Sequence, residues 1–186
     1  VSAQRREEKS VDVPITVTTL SADALATANV DQLSGIAKMT PGLRFDFAGA
    51  YFQPTIRGVG TPVTSAGSQG NVGIYVDGFY VPNPLAADFD LMKVRNIQVL
   101  KGPQGTLFGR NTTGGAILVQ TADPSTTTSG QLKLSYGRYN EFRGQGYATF
   151  GLGERVAMDV EGSYRRGDGY LTNISNNQRV GDYDND

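Results

Sequence analysis

Apolar and polar residues alternate along three runs in the last third of the chain. The runs cover residues 131–139, 142–150 and 155–165, and each places apolar or small side chains on one face and mostly polar ones on the other. Two residues is the side-chain period of a β-strand. Strands with one apolar face form either a transmembrane barrel or a soluble antiparallel sheet with one solvated face. Alternation alone favours neither arrangement.

The length of these runs is also that of a membrane-crossing strand, which needs about 9–11 residues when it is tilted. Three strands cannot close a barrel, because about eight is the smallest common number. On the barrel interpretation, residues 131–186 would be the first strands of an incomplete barrel with part of an extracellular loop, after a polar linker at 123–130. The chain by itself is expected to leave an unpaired sheet edge and to aggregate.

The pattern before this region is mixed. Residues 1–13 are polar and aperiodic and predict a flexible arm, whereas residues 14–20 alternate and predict a strand. Ser21 and Asp31 each precede a short helical pattern, so both are expected to be helix N-caps. We therefore predict a small α+β domain over residues 14–122. Its remaining strands are predicted in short extended runs at 43–47, 55–58, 73–76, 94–100 and 115–120.

Composition excludes several classes of chemistry. The chain has no Cys and no His, which excludes thiolate or imidazole metal ligands, Cys nucleophiles and triads in which His is the base. Its net charge of -1 gives no bulk attraction to nucleic acids. The acidic run at 182–186 lacks the Gly and Glu of a calcium-binding loop. We predict no enzyme activity, no metal or cofactor site, and no nucleic-acid partner.

The most specific segment covers residues 100–121, LKGPQGTLFGRNTTGGAILVQT. It predicts the end of one strand, a turn at Gly102-Pro103, a short helical or bent piece at 106–108, and a second strand. Gly109 and the pair Gly114-Gly115 are expected to allow backbones to approach closely. The segment therefore predicts a rigid strand–elbow–strand unit that forms the floor of the domain.

This segment resembles the plug signature of TonB-dependent outer-membrane receptors. Other segments similar to the family's plug follow one another in the family order: VSAQRREE with DVPITV, LSGIAKMTPGLRF, PTIRGVGT and VGIYVDGFYV. The resemblance implies an α+β plug domain followed by the first antiparallel strands of a transmembrane β-barrel, which has about 22 strands in the complete receptors. It also implies a location in the outer membrane of a Gram-negative bacterium.

The function that the resemblance implies is active uptake of a scarce nutrient, first of all a ferric siderophore or a similar chelate. The implied partners are the inner-membrane TonB complex, the small-molecule nutrient and outer-membrane lipid. The residues similar to the end of the TonB-contact region are Val1, Ser2, Ala3 and Gln4.

Two further sets of residues carry over from the family. Arg57 in the IRG motif and Lys101 before Gly-Pro match the basic positions that clamp the plug to barrel carboxylates. Lys101 stands where the family usually has Arg, so it lacks the bidentate fork of a guanidinium. The candidate ligand contacts, by their position in the apical loops, are Tyr51, Phe52, Gln53, Phe79 and Tyr80. The alternatives are that the two cations are ordinary surface charges and that the aromatic side chains pack in the plug core or on the barrel wall.

Two other functions compete with uptake. One is a soluble β-rich saccharide-binding or adhesion module, and the other is a signal transducer that keeps the receptor fold. Partitioning with the outer membrane together with TonB-dependent uptake would separate a receptor from a soluble module.

Overall fold

The structure is a computed structural model. It describes residues 16–48, 51–61, 69–83, 87–168, 171–172, 175, 179–180 and 183–185. The predicted arm at 1–13, with the TonB-contact residues Val1 to Gln4, lies outside the described residues. The chain divides between Ala122 and Asp123 into two compact units.

The amino-terminal unit combines a mixed sheet with short helices. Its elements are β1 (Thr16–Ser21), α1 (Ala22–Thr27), a 3₁₀ helix (Leu33–Met39), β2 (Leu43–Ala48), β3 (Tyr51–Ile56), β4 (Val72–Val76), β5 (Phe79–Tyr80), β6 (Val94–Lys101), α2 (Gly105–Phe108) and β7 (Gly115–Thr121). Five strands form one sheet in the order β1-β6-β7-β4-β5, in which β4 and β7 are parallel and the other neighbours antiparallel. Strands β2 and β3 form a separate hairpin. This architecture confirms the predicted α+β class.

The core of this unit lies on the central strands β6 and β7. Strand β7 reads as a nearly continuous apolar run, as expected for a strand covered on both faces, whereas β6 also carries Arg95, Asn96 and Gln98. The apolar side chains of both strands meet the 3₁₀ helix and strand β3 in one cluster of buried residues. The members with essentially no exposed surface include Leu33, Ile36, Ile56, Ile97, Val99, Ile117 and Val119.

The two predicted helix caps have different outcomes. Ser21 caps α1 as predicted, since its side chain accepts a hydrogen bond from the Ala24 N–H at 3.3 Å. The prediction for Asp31 is wrong: the second helix is a 3₁₀ helix that follows Gln32, and its Ser34 N–H donates to Asp88 Oδ1 at 2.7 Å. The capping carboxylate thus comes from a segment distant in sequence. Among the described residues no helix is long and apolar enough to span a membrane.

The extended run predicted at 55–58 is also wrong in its second half. Strand β3 ends at Ile56, and the backbones of Arg57 and Gly58 have φ angles of 51° and 80°. Reciprocal hydrogen bonds of 3.0 and 2.9 Å between the backbones of Ile56 and Val59 close a tight turn there. Positive φ is incompatible with a strand, so the turn places Arg57 outside the sheet.

The strand–elbow–strand unit is present, with one change in the role of a glycine. Strand β6, α2 and β7 follow in the predicted order. Gly115 confirms the expected close approach, because a Cβ there would overlap the Leu100 carbonyl and lie 2.9 Å from Ile56 Cδ1. The prediction of close approach at Gly109 is wrong, since a Cβ would meet nothing within 4 Å. Its φ of 75° is the feature that favours glycine.

The carboxy-terminal unit is a sheet of antiparallel strands. Its elements are β8 (Ser129–Tyr136), β9 (Phe142–Gly151), β10 (Ala157–Gly167), β11 (Leu171–Thr172), β12 (Arg179–Val180) and β13 (Tyr183–Asn185). The main sheet has the order β13-β10-β9-β8, and β11 pairs with β12. The three alternating runs are therefore confirmed as strands. Strand β8 begins at Ser129, inside the segment 123–130 that the sequence indicates as a linker.

The apolar face of this sheet is open to solvent. The exposed large apolar residues of these strands and of the β9–β10 turn include Leu132, Leu134, Tyr136, Phe142, Leu152, Val156, Met158, Val160 and Tyr164. On the opposite face Gln145 and Thr149 are buried. The segment before β8 covers part of that face, because the Ser125 N–H donates to Thr149 Oγ1 at 2.8 Å. A soluble sheet buries its apolar side, so this distribution favours a lipid-facing surface.

We predict that this 186-residue chain self-associates when it is produced alone in aqueous buffer. Among the described residues β8 is the last strand of its sheet, so one of its edges has no neighbouring strand and lies next to an exposed apolar face. Sedimentation velocity in buffer and in detergent micelles measures the effect, and the micelles should disperse the chain. A monodisperse monomer in buffer that melts cooperatively would contradict this expectation.

Candidate functional site

The two basic residues of the predicted clamp lie close together in the amino-terminal unit. Lys101 is the last residue of β6, and its Nζ donates a hydrogen bond of 2.8 Å to the Pro41 carbonyl oxygen. Arg57 lies in the turn after β3, and its N–H donates to the Gly42 carbonyl oxygen at 2.7 Å. The bend at Pro41-Gly42, which ends the 3₁₀ helix, therefore contacts both residues.

The charges of this pair repel each other. Burial lowers the pKa of the Lys101 ammonium below its usual value, and the charge of the nearby Arg57 guanidinium lowers this pKa further. Within the described part of the chain, no carboxylate lies within ion-pair distance of either side chain. A carboxylate from outside these residues would stabilise both cations and would oppose the lowering of the Lys101 pKa. The pair is thus suited to bind an anionic group.

The five candidate ligand contacts do not form one exposed cluster. Phe52 is 2% exposed and stacks on Phe45 with ring centroids 4.5 Å apart, so in this conformation its ring belongs to the core. Gln53 is also buried, and Tyr51 is half-buried. Phe79 has 79% of its surface exposed, whereas Tyr80 packs on Tyr75 at 5.5 Å between ring centroids.

Three of these five residues line a common small cavity. Its volume is about 30 Å³, roughly the room that one or two water molecules need. The cavity is therefore too small for a metal chelate in this conformation. The residues that line it are Phe52, Gln53, Pro54, Thr61, Gly70, Val72, Ile74, Tyr80, Val81, Pro82 and Ala87.

Sequence reasoning missed an asparagine, Asn111, that contacts the candidate ligand residue Tyr80 and also Gln69. Asn111 Nδ2 donates to Gln69 Oε1 at 2.7 Å and to the Tyr80 hydroxyl oxygen at 3.3 Å. The φ of Asn111 is 69°, in the left-handed region that Asn tolerates better than most residues. In the sequence, Asn111 lies between Gly109 and the pair Gly114-Gly115. An Asn in a loop constrained by glycines on both sides is the signal that could have identified it.

The carboxy-terminal unit has its own cluster of charged groups. Glu141 accepts a hydrogen bond from Arg143 Nε, and Arg165 Nε lies 3.3 Å from the same carboxylate. These charges lie on the side of the sheet opposite the apolar face. In the part of the chain that the structure describes, no three acidic residues are grouped so that they could hold a metal ion.

Known proteins match the chain in sequence and in fold. A family model described as TonB-dependent Receptor Plug Domain matches residues 9–116. The Pesticin receptor of Yersinia pestis is 29% identical over 148 residues, which are 77% of this chain and 21% of that protein. The Ferrioxamine B receptor of Salmonella typhimurium is 26% identical over 172 residues, 87% of this chain and 23% of that protein. The chain thus spans less than a quarter of these relatives.

Solved structures show the same fold. The ferric yersiniabactin uptake receptor FyuA from Yersinia pestis aligns with a TM-score of 0.80 over 98% of this chain and 29% of that chain, at 23% identity. The ferripyoverdine receptor of Pseudomonas aeruginosa aligns with a TM-score of 0.75 over 92% of this chain and 23% of that chain, at 16% identity. At these identities the structures support the fold alone.

Proposed function

Because this chain belongs to the TonB-dependent receptor family, whose plug model matches residues 9–116, we propose that it supplies the plug and first barrel strands of a receptor for active nutrient uptake. TonB-dependent receptors are outer-membrane proteins of Gram-negative bacteria, and this chain is assigned to that membrane. The observation that carries the proposal is the plug fold followed, in one chain, by a sheet with an exposed apolar face.

The proposed substrate class is a ferric siderophore. The names of the matched relatives support this class, since one is a Ferrioxamine B receptor and another a ferric yersiniabactin uptake receptor. The proposed ligand contacts in the amino-terminal unit are Tyr51, Gln53, Phe79 and Tyr80, for which the exposure of Phe79 is the main structural support. Phe52 would contribute through the core, by supporting the position of its neighbours.

The proposed energy source is the TonB complex. Val1, Ser2, Ala3 and Gln4 lie outside the described residues, so their role as the TonB-contact region rests on the family resemblance. Uptake of radioactive iron bound to ferrioxamine B or to yersiniabactin tests substrate and energy source together. We expect accumulation in cells that carry both the complete receptor and TonB. Equal accumulation without TonB, or recovery of the receptor in the soluble fraction, would contradict the proposal.

A soluble saccharide-binding or adhesion module remains the competing function. That function would need the apolar side of strands β8 to β10 to be covered by protein. The exposure of Leu132, Leu134 and Val160 argues against such cover within the described residues. Fractionation of cells with and without detergent separates the two functions directly.

We predict that Arg57→Glu loosens the plug in the complete receptor. The clamp hypothesis pairs Arg57 and Lys101 with barrel carboxylates, so the change would replace an attraction by a repulsion. Because Arg57 is exposed in this structure, we expect a modest loss of about 1–2 kcal/mol, which speeds hydrogen exchange of plug amides roughly 5-fold to 30-fold. Exchange followed by mass spectrometry measures it.

Arg110→Glu is the matched control for this change. Arg110 is also an exposed cation of the amino-terminal unit, and it lies in the loop between α2 and β7. The control makes the same change in net charge and should leave the exchange of β6 and β7 amides near its original rate. If Arg57→Glu leaves those rates unchanged as well, the clamp hypothesis fails.

A further inference from the structure

The loop between α2 and β7 is held rigidly by its own hydrogen bonds. Thr112 Oγ1 donates to the Gly109 carbonyl oxygen at 2.7 Å, and the Gln104 N–H donates to the Thr112 carbonyl oxygen at 2.9 Å. The side chains of Thr112 and Gln104 are almost completely buried. The Gly102 N–H, directly after Lys101, donates to the Gly114 carbonyl oxygen at 3.1 Å. The backbone of the loop is therefore fixed on both sides of Asn111.

From this fixed position the Asn111 side chain reaches two different segments. Gln69 lies two residues before Asn71, which directly precedes β4, and Tyr80 is the last residue of β5. Asn111 Nδ2 binds the first at 2.7 Å and the second at 3.3 Å. The two hydrogens of one amide group thus connect Gln69 and Tyr80.

Other contacts lead from the same two segments back to the elbow, which is the connection between β6 and β7 over residues 102–114. Asn71, two residues after Gln69, is held by two contacts: its Nδ2 donates to the Gly60 carbonyl oxygen at 2.9 Å, and its own carbonyl oxygen accepts from the Gly114 N–H at 2.8 Å. Tyr80 packs on Tyr75, whose hydroxyl donates to the Phe108 carbonyl oxygen at 2.8 Å. A displacement of either segment would therefore strain the elbow.

We propose that Asn111 is a positioning residue that couples Gln69 and the candidate ligand contact Tyr80 to the elbow and, through it, to Lys101. The coupling path is short, since the elbow begins directly after Lys101 and returns to Gly114 opposite Gly102. A ligand that displaces Gln69 or Tyr80 would change the hydrogen bonding of Asn111 and thereby the elbow beside the clamp cations. The biological purpose of this coupling rests on the proposed uptake function. The coupling itself is a property of the plug and does not depend on that function.

The substitution Asn111→Gly tests the coupling in the complete receptor. Glycine accepts the φ of 69° without strain, so the change removes the side-chain bonds and leaves the backbone path allowed. We expect the amides of Asn71, Val81, Gly102 and Gln104 to exchange roughly three- to tenfold faster, as the loss of one or two exposed hydrogen bonds predicts. Because no ligand is needed, the result is independent of which chelate the receptor takes up.

Asn29→Gly is the matched control. Asn29 also has a positive φ, of 53°, but it follows α1 rather than the elbow. Asn29→Gly should leave the hydrogen-exchange rates of the same four amides, those of Asn71, Val81, Gly102 and Gln104, unchanged. Faster exchange that stays within residues 110–112 in the Asn111→Gly receptor would overturn the coupling.

A double-mutant cycle separates coupling from simple loosening. Gln69→Ala and Asn111→Gly remove the same hydrogen bond from its two ends, so their effects on the Gly102 and Gln104 amides should be less than additive. Full additivity at those amides overturns the proposal. If the cycle shows coupling but no ferric siderophore is taken up, the proposed function fails while the role of Asn111 in the plug stands.

Discussion

Gly115→Ala is expected to destabilise the plug severely. The φ of Gly115 is 145°, which side chains rarely adopt, and an added Cβ would overlap the Leu100 carbonyl oxygen. The obstacle is backbone of the neighbouring strand β6, so a change of rotamer cannot relieve it. We expect a loss of about 4 kcal/mol, because backbone strain and overpacking each cost roughly 1–3 kcal/mol. Hydrogen exchange of the β6 and β7 amides in the complete receptor measures the loss.

Gly105→Ala is the control for this prediction. Gly105 begins α2, its φ is not positive, and a Cβ there would meet nothing within 4 Å. Alanine should therefore be neutral or slightly stabilising, since it has a better helix propensity than glycine. Similar exchange rates for the Gly115→Ala and Gly105→Ala receptors would show that the close approach at Gly115 is not required.

Ile97→Ala is expected to have the second largest effect. Ile97 has no exposed surface, lies in the central strand β6, and is paired with Leu20 of β1 and Val119 of β7. Truncation would leave a cavity that three elements border. We expect a loss of about 3 kcal/mol, within the range of roughly 2–5 kcal/mol for buried Ile→Ala changes.

A thiol reporter measures the effect of Ile97→Ala. The chain contains no cysteine, so Ala116→Cys introduces one thiol into this chain, at a buried position of β7. Maleimide labelling of that thiol requires opening of the sheet, and about 3 kcal/mol corresponds to roughly 150-fold faster labelling. Ile97→Val removes a single methyl group and should cost only about 1 kcal/mol. Equal labelling rates for the two variants would contradict a tightly packed core.

The sequence predicted the individual residues of the candidate site, but it did not predict how these residues are arranged in space. The family resemblance identified Arg57 and Lys101, yet nothing in the sequence shows that the bend at Pro41-Gly42 contacts both. Phe52 and Phe79 look alike in the sequence, because both are aromatic residues beside loops. The structure separates them, since Phe52 stacks on Phe45 whereas Phe79 is exposed. Burial depends on contacts between distant segments, which a local pattern does not contain.

Two of the three corrected predictions, those for Asp31 and for residues 57–58, have the same origin. Asp31 is a suitable N-cap by its residue type, but pairing of its segment with residues 89–91 places Asp88 at the helix start instead. Residues 57–58 follow an extended run, but the Arg57 N–H donates to the carbonyl oxygen of Gly42 in another segment, and the backbone turns there with positive φ angles. In both cases a tertiary contact outweighs a preference that is worth only about 1 kcal/mol.

The sequence by itself determined the two-part organisation of this protein. A period of two residues is fixed by the geometry of a strand, so the runs that became β8, β9 and β10 could be predicted wherever they lie in space. The order of plug motifs likewise identified the family without any coordinates.

Only the tertiary structure decided which side chains meet. In the structure Lys101 lies near Arg57, Asn111 donates hydrogen bonds to Gln69 and Tyr80, and Phe52 is buried in the core. The physical reason is that these contacts join segments tens of residues apart, whose distances depend on how the whole sheet packs. Residue type and spacing set what each side chain can do, and packing sets what it touches.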